Sequence, residues 1–115
     1  GECKIYKKQE TKYNYSMLRG GSQGFYFNED LYFITHEVVF SDGRLYFHRF
    51  VKMTKDLEID KVSYPFFFKN WGVEYVAGVT YNKKENNILI SWGSDDKNAN
   101  ISEISTNDLD KIWIN

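Results

Sequence analysis

The sequence predicts an all-β fold built from antiparallel four-stranded units of β-propeller type. Three observations carry this. Aromatic residues make up 18% of the chain against a single proline, Pro65, and aromatic and β-branched side chains suit pleated, half-buried surfaces. Apolar runs recur at intervals of about 8–12 residues between turn-forming clusters, the spacing of sandwiches, barrels and propellers. Finally, one strand pair occurs twice. Gly24-Phe25-Tyr26-Phe27-Asn28 matches Gly78-Val79-Thr80-Tyr81-Asn82 at an offset of 54, and Phe33-Ile34-Thr35-His36 matches Leu89-Ile90-Ser91-Trp92 at an offset of 56. A repeat of this length built of about four strands is what propeller blades give.

The elements follow in order. Glu2–Tyr15 alternates loosely around Ile5, Tyr6, Tyr13 and Tyr15 and reads as an edge strand and a polar turn. Arg19–Ser22 is a glycine-bearing loop, without the lysine or the strand–loop–helix context of a phosphate loop. Gln23–Phe27 is a short strand, Asn28–Asp30 a turn, and Leu31–Phe40 a long strand. Asp42-Gly43 marks a hairpin, and Arg44–Met53 returns antiparallel. On that strand Leu45, Phe47, Arg49 and Val51 share one face, and Tyr46, His48, Phe50 and Lys52 the other. A fourth strand lies around Leu57–Val62, and Tyr64–Phe68 is an extended segment whose proline suits an edge.

Val73–Tyr81 restarts the cycle. Asn82–Asn87 is its turn, Ile88–Trp92 the next strand, Gly93–Lys97 a corner and Asn100–Ile104 another strand. Thr106-Asn107-Asp108 is expected to cap a helical turn over Leu109–Trp113. Residues 1–115 therefore form one β domain, with a first blade-like unit at about 20–68 and a second, incomplete one at 73–115. Since closed propellers have about 4–8 blades, the expectation is a piece of a larger propeller, or blades completed between chains. A chain opening on Gly1 rather than Met is expected to be a processed, tagged or truncated product.

Charge balance excludes some functions. With 15 basic and 16 acidic residues and one cysteine, the chain has no basic excess for nucleic acid and no zinc-ligand spacing. No metal or cofactor is expected. Cys3 favours a reducing, cytoplasmic location. No apolar run approaches the length of a membrane span.

The order of motifs is a Gly-rich loop (RGGSQ), an apolar strand ending in His36 (HEV), a strand carrying Arg49 (HRF), then GVEYVAG and WGSDD. This order resembles the last two blades of the five-bladed propellers of mannoside phosphorylases and related mannosidases, glycoside hydrolase family 130. It is also similar to propeller modules attached to some bacterial and viral glycosyltransferases. The resemblance covers about residues 19–110.

It implies a polar funnel that holds a mannose-type sugar, and a phosphate in the phosphorylases. His36 falls where the family places a phosphate- or sugar-contacting histidine, within Thr35-His36-Glu37 rather than the family's Tyr-His-Gly. Asp96 falls where it places a sugar-binding aspartate. Tyr46 or His48, followed by Arg49, falls near a family tyrosine. The family's proton-donating acid lies in earlier blades, so this chain alone is expected to be catalytically silent. The alternative is a non-catalytic sugar-binding or interaction module accompanying a glycosyltransferase, and a third reading is a small self-contained β domain.

The residue chemistry sets bounds on these roles. A histidine titrating near neutrality serves acid–base or anion contacts, but a half-buried histidine satisfied by backbone is equally familiar. Asp95 and Asp96 are adjacent in one turn, whereas glycoside cleavage needs two carboxyls about 5–10 Å apart. Turn stabilisation competes with sugar binding there. Trp92, Tyr46, Trp71 and Phe68 offer stacking surfaces, although core packing explains most aromatic residues in such a chain. Glu74, inside an apolar segment, needs a partner if charged, and Arg49 is the expected one.

Overall fold

A computed structural model describes residues 1–114 and shows two antiparallel sheets, neither of them closed. The first has the order β1 (Phe25–Phe27), β2 (Asp30–Phe40), β3 (Arg44–Met53), β4 (Ile59–Val62), and the second β5 (Glu74–Asn82), β6 (Asn87–Ser94), β7 (Asn98–Ser105). Each is a meander in which sequence neighbours pair.

Local chemistry accounts for the hairpins. Asn28 and Glu29, between β1 and β2, both have positive φ (49° and 69°), the geometry whose twist matches that of paired strands. The β1–β2 and β5–β6 hairpins each open their sheet, but their registers differ: Phe25 pairs with Tyr32, whereas its counterpart Val79 pairs with Ile90 rather than Ile88, and the second hairpin has the longer turn.

Both sheets contribute to one core. Phe25, Tyr32, Ile34 and Phe50 of the first meet Val76, Val79, Ile88, Ile90 and Trp92 of the second, with Leu109 and Trp113 packed against them. Alternation explains the selection: Tyr32, Ile34, Phe50 and His48 share one face of the first sheet. On its other face lie Val51, which is buried, and Arg49.

Two irregular segments extend the first sheet. Ser22 N–H donates to the Ile34 carbonyl, and Arg19 and His36 exchange backbone bonds of 2.9 and 3.0 Å. This edge therefore continues β1 in broken form. A Cβ on Gly21 would lie 2.5 Å from the Ile34 carbonyl oxygen, so only glycine fits there. On the far side, Phe66 exchanges backbone bonds with His48 and Gly72 accepts from Tyr46, carrying the chain along β3 past Pro65.

Two sequence expectations are corrected here. Glu2–Tyr15 forms no strand: Ile5 and Tyr6 lie exposed, and Lys7 and Gln9 reach the turn before β4 and its first residue, Ile59, through side chains only. With four lysines and no apolar face, the segment has nothing to bury. The helical turn falls at Thr106–Asp110, with Ser105 as the cap accepting from Asn107 N–H, because burying Leu109 and Trp113 against the sheets draws the chain onto the core one turn early.

Gly21→Ala is expected to lower stability by about 1–3 kcal/mol through the clash with the β2 backbone. Gly20→Ala, whose Cβ would meet nothing, should change it by less than about 0.5 kcal/mol. Urea unfolding of both variants reads the difference.

Candidate functional site

His36 is the natural starting point. It lies in β2, directly opposite His48 of β3, and its ring contacts Tyr46 (5.9 Å between centroids) and Tyr75 of β5 (5.3 Å). Tyr46 in turn receives a hydrogen bond from Arg44 (Nη1 to the hydroxyl, 3.3 Å), and the Arg44 guanidinium lies over its ring. The other guanidinium nitrogen of Arg44 reaches Asp96 at 3.7 Å. A continuous run from Tyr75 through His36, Tyr46 and Arg44 to Asp96 thus crosses between the two sheets.

The fold places each of these for a local reason. Arg44 opens β3 just after the Ser41–Gly43 loop. Asp96 sits in the β6–β7 turn, closed by Lys97 N–H donating to the Ser94 carbonyl, with Asp95 and Asp96 both at φ 54°. Non-glycine residues pay for that conformation. The turn is also tied to the start of β5, since Asp95 N–H donates to the Val73 carbonyl at 2.8 Å. Asp96 keeps 78% of its side chain in solvent, so its carboxylate remains open to a ligand, and the exposed pair with Arg44 holds it only weakly.

Burial, and then the charge of Arg19, push the His36 imidazole below its ordinary pKa. A hydrogen bond with the Gly20 backbone works against that lowering, and the neutral ring carries one donor and one acceptor. Its Nδ1 is buried and has no hydrogen-bond partner among the described residues.

Arg49 and Trp92 lie elsewhere. Arg49 sits on the opposite face of the first sheet, where its guanidinium pairs with Glu37 and donates to the Ser63 carbonyl (2.9 Å). It borders a separate cleft of about 470 Å³ with Tyr13, Tyr15 and Asp60. Trp92 is a core residue: it stacks on Phe68 (4.6 Å, 10° between planes) and donates from Nε1 to Ser102.

The expected Arg49–Glu74 pair is not formed. Glu74, almost fully buried, is instead held by the backbone N–H groups of Phe68 (2.8 Å), Lys69 (2.9 Å) and Asn70 (3.1 Å). In the structure Arg49 lies on the face of β3 opposite to that of His48 and Phe50, with Glu37 and Ser63. Charge complementarity alone did not reveal that a backbone loop would supply the donors.

Arg44 and Tyr75 were missed by reading motifs. Strict alternation around buried Glu74 and Val76 carries a signal for Tyr75, because it places that ring off the core. Nothing local marks Arg44 beyond its position at a hairpin.

His48 is the second histidine of the row. It is fully buried between Phe66 and Phe68, and neither ring nitrogen has a partner among the described residues. Burial pushes it down to about 4, against the opposing charge of Glu74.

No protein-family model matches this chain, and neither the curated proteins nor the solved structures provide a match. No group of three or more metal-ligating side chains occurs among the described residues, and none of their helices is long and apolar enough to cross a membrane.

Two outcomes follow from the buried groups. Because His48 binds a proton in the unfolded chain below about pH 6.5 but in the folded one only near 4, stability is full above pH 6.5. It falls as pH drops from 6.5 towards 4, by up to about 1.4 kcal/mol per pH unit. His48→Phe should flatten that decline in denaturant melts at several pH values. Glu74→Gln, which sets an amide N–H₂ against N–H donors, should cost at least about 2 kcal/mol at pH 7, read by the same melts.

Proposed function

We propose that this chain is a non-catalytic carbohydrate-binding unit whose two sheets correspond to two blades of propeller type. It holds a mannose-type sugar along Tyr75, His36, Tyr46, Arg44 and Asp96. The single observation that carries the reading is the meeting, at one end of both sheets, of a half-exposed aromatic ring, a neutral imidazole, a guanidinium and an open carboxylate. Sugar hydroxyls act as both donors and acceptors, and these groups supply both kinds of partner. The exposed Tyr75 ring adds an apolar surface for the C–H face of a sugar.

Neutral His36 favours hydroxyl over phosphate. A phosphate would draw its charge from Arg44 and Arg19 rather than from the imidazole. Binding rather than cleavage is proposed because Asp95 and Asp96 share one turn, and neither faces a second carboxylate across the site. The motif resemblance to mannoside phosphorylases and mannosidases supports the sugar class. The recurrence of the hairpin motif in the sequence supports the blade correspondence.

The test is a titration with mannose and mannobiose followed by amide shifts in ¹H–¹⁵N spectra. Shifts centred on His36, Tyr46, Tyr75 and Asp96 are expected, with affinity in the millimolar range typical of a small open site (about −4 kcal/mol). Asp96→Ala should weaken binding about tenfold, the value of one charge-assisted hydrogen bond. Unshifted spectra at saturating sugar, or shifts confined to the cleft beside Arg49, would remove the proposal.

A further inference from the structure

Sheet edges expose unpaired backbone groups, and proteins finish them by keeping them short, bulging them or covering them. Three edges here follow that practice. β1 has three residues. β5 is bulged between Val76 and Gly78 and gives its Val79 carbonyl to the Gln23 side chain at 2.7 Å. β4 is covered by the Ile114 N–H at the Val62 carbonyl and by the Gln9 side chain at the Ile59 N–H, and Ile112 bonds Tyr64 just beyond it.

β7 has none of these devices. Its eight residues pair with β6 in unbroken register, from Ser94↔Asn98 to Asn87↔Ser105. The strand, NANISEIS, has no proline or lysine and a single charge, Glu103. No hydrogen bond to the outer side of its backbone occurs among the described residues. Ile101, at its middle, is 76% exposed, the highest value of any large hydrophobic residue in the two sheets.

We propose that β7 pairs antiparallel with β7 of a second copy of this chain, about a two-fold axis at Ile101, so that both second sheets become one. The register follows from geometry. A two-fold axis normal to the sheet leaves each side chain on its own face, and directly opposed residues share a face. The axis therefore passes beside a residue that faces its own copy. Centring on Glu103 would oppose two like charges. Centring on Ile101 sets the exposed isoleucines against each other and pairs Ala99 with Glu103 of the second copy and Asn100 with Ser102. It joins Asn98–Ile104 of both chains, nearly the whole edge. Such an interface is isologous and closes at two copies, with backbone bonds supplying its affinity.

The experiment is sedimentation of the 13.7 kDa chain across concentrations up to about 1 mM, with Ile101→Lys and Ala99→Lys. Both positions are exposed, and far-UV circular dichroism checks that the fold is kept. The expected result is a concentration-dependent dimer that Ile101→Lys weakens at least tenfold by opposing two lysines. Ala99→Lys, which sets each lysine opposite a Glu103, should preserve or tighten it. Three results would overturn the proposal: a wild-type monomer throughout, a dimer or larger oligomer indifferent to Ile101→Lys, or equal loss of association in both variants.

Discussion

The burial of one carboxylate sets the geometry on which the rest of the molecule depends. An ionised Glu74 in the core is tolerable only if its oxygens are fully hydrogen-bonded, and three consecutive N–H groups of residues 68–70 meet that demand. Those residues belong to the link between the two sheets. Once the carboxylate has gathered them, Phe68 lies flat on Trp92 of β6, Gly72 accepts from Tyr46 of β3, and β5 starts where Tyr75 meets His36. The charge does not favour the core by itself. It selects one conformation of the link among those that the apolar packing alone would accept.

The histidine row shows how the same burial divides the chemistry of one sheet. His48 and His36 face each other across β2 and β3, yet the first is enclosed by phenylalanines and the second opens towards tyrosines and arginines. Desolvation disfavours the charged form of both. The inner imidazole is thereby a neutral packing residue that makes the fold sensitive to acid. The outer one is a neutral hydrogen-bonding group at the end of a polar run. One physical cause yields a structural role and a candidate ligand contact twelve residues apart.

Much of the local structure was legible in the residues. Period-2 alternation and turn-forming pairs located the strands of both meanders to within a few residues, since the pleat imposes alternation whatever lies opposite. The repeat between residues 24–36 and 78–92 locates a hairpin at the start of each sheet, but the second pairs two residues out of the register of the first, because a two-residue turn and a longer one set different registers. The N-terminal strand was misread. Loose alternation of tyrosines and lysines resembles an edge strand, but no strand of either sheet offers it a backbone partner.

The candidate site was less legible. Alternation assigns Arg49 and Tyr46 to opposite faces of β3, but it does not say what each face meets, and charge complementarity alone paired Arg49 with Glu74 rather than Glu37. Trp92 holds the place in the repeat that His36 holds in the first unit, yet one is core and the other borders solvent, because Trp92 is covered by Phe68 of the link between the sheets while His36 meets the rings of Tyr46 and Tyr75. By itself the sequence determined an all-β chain of antiparallel meanders, their turns and the faces of their strands, all consequences of backbone geometry acting over a few residues. Only the tertiary structure decided that Arg44, Asp96, Tyr75 and His36 come together. Their approach depends on how the link clamped by Glu74 sets one sheet against the other, and no short-range pattern encodes that angle.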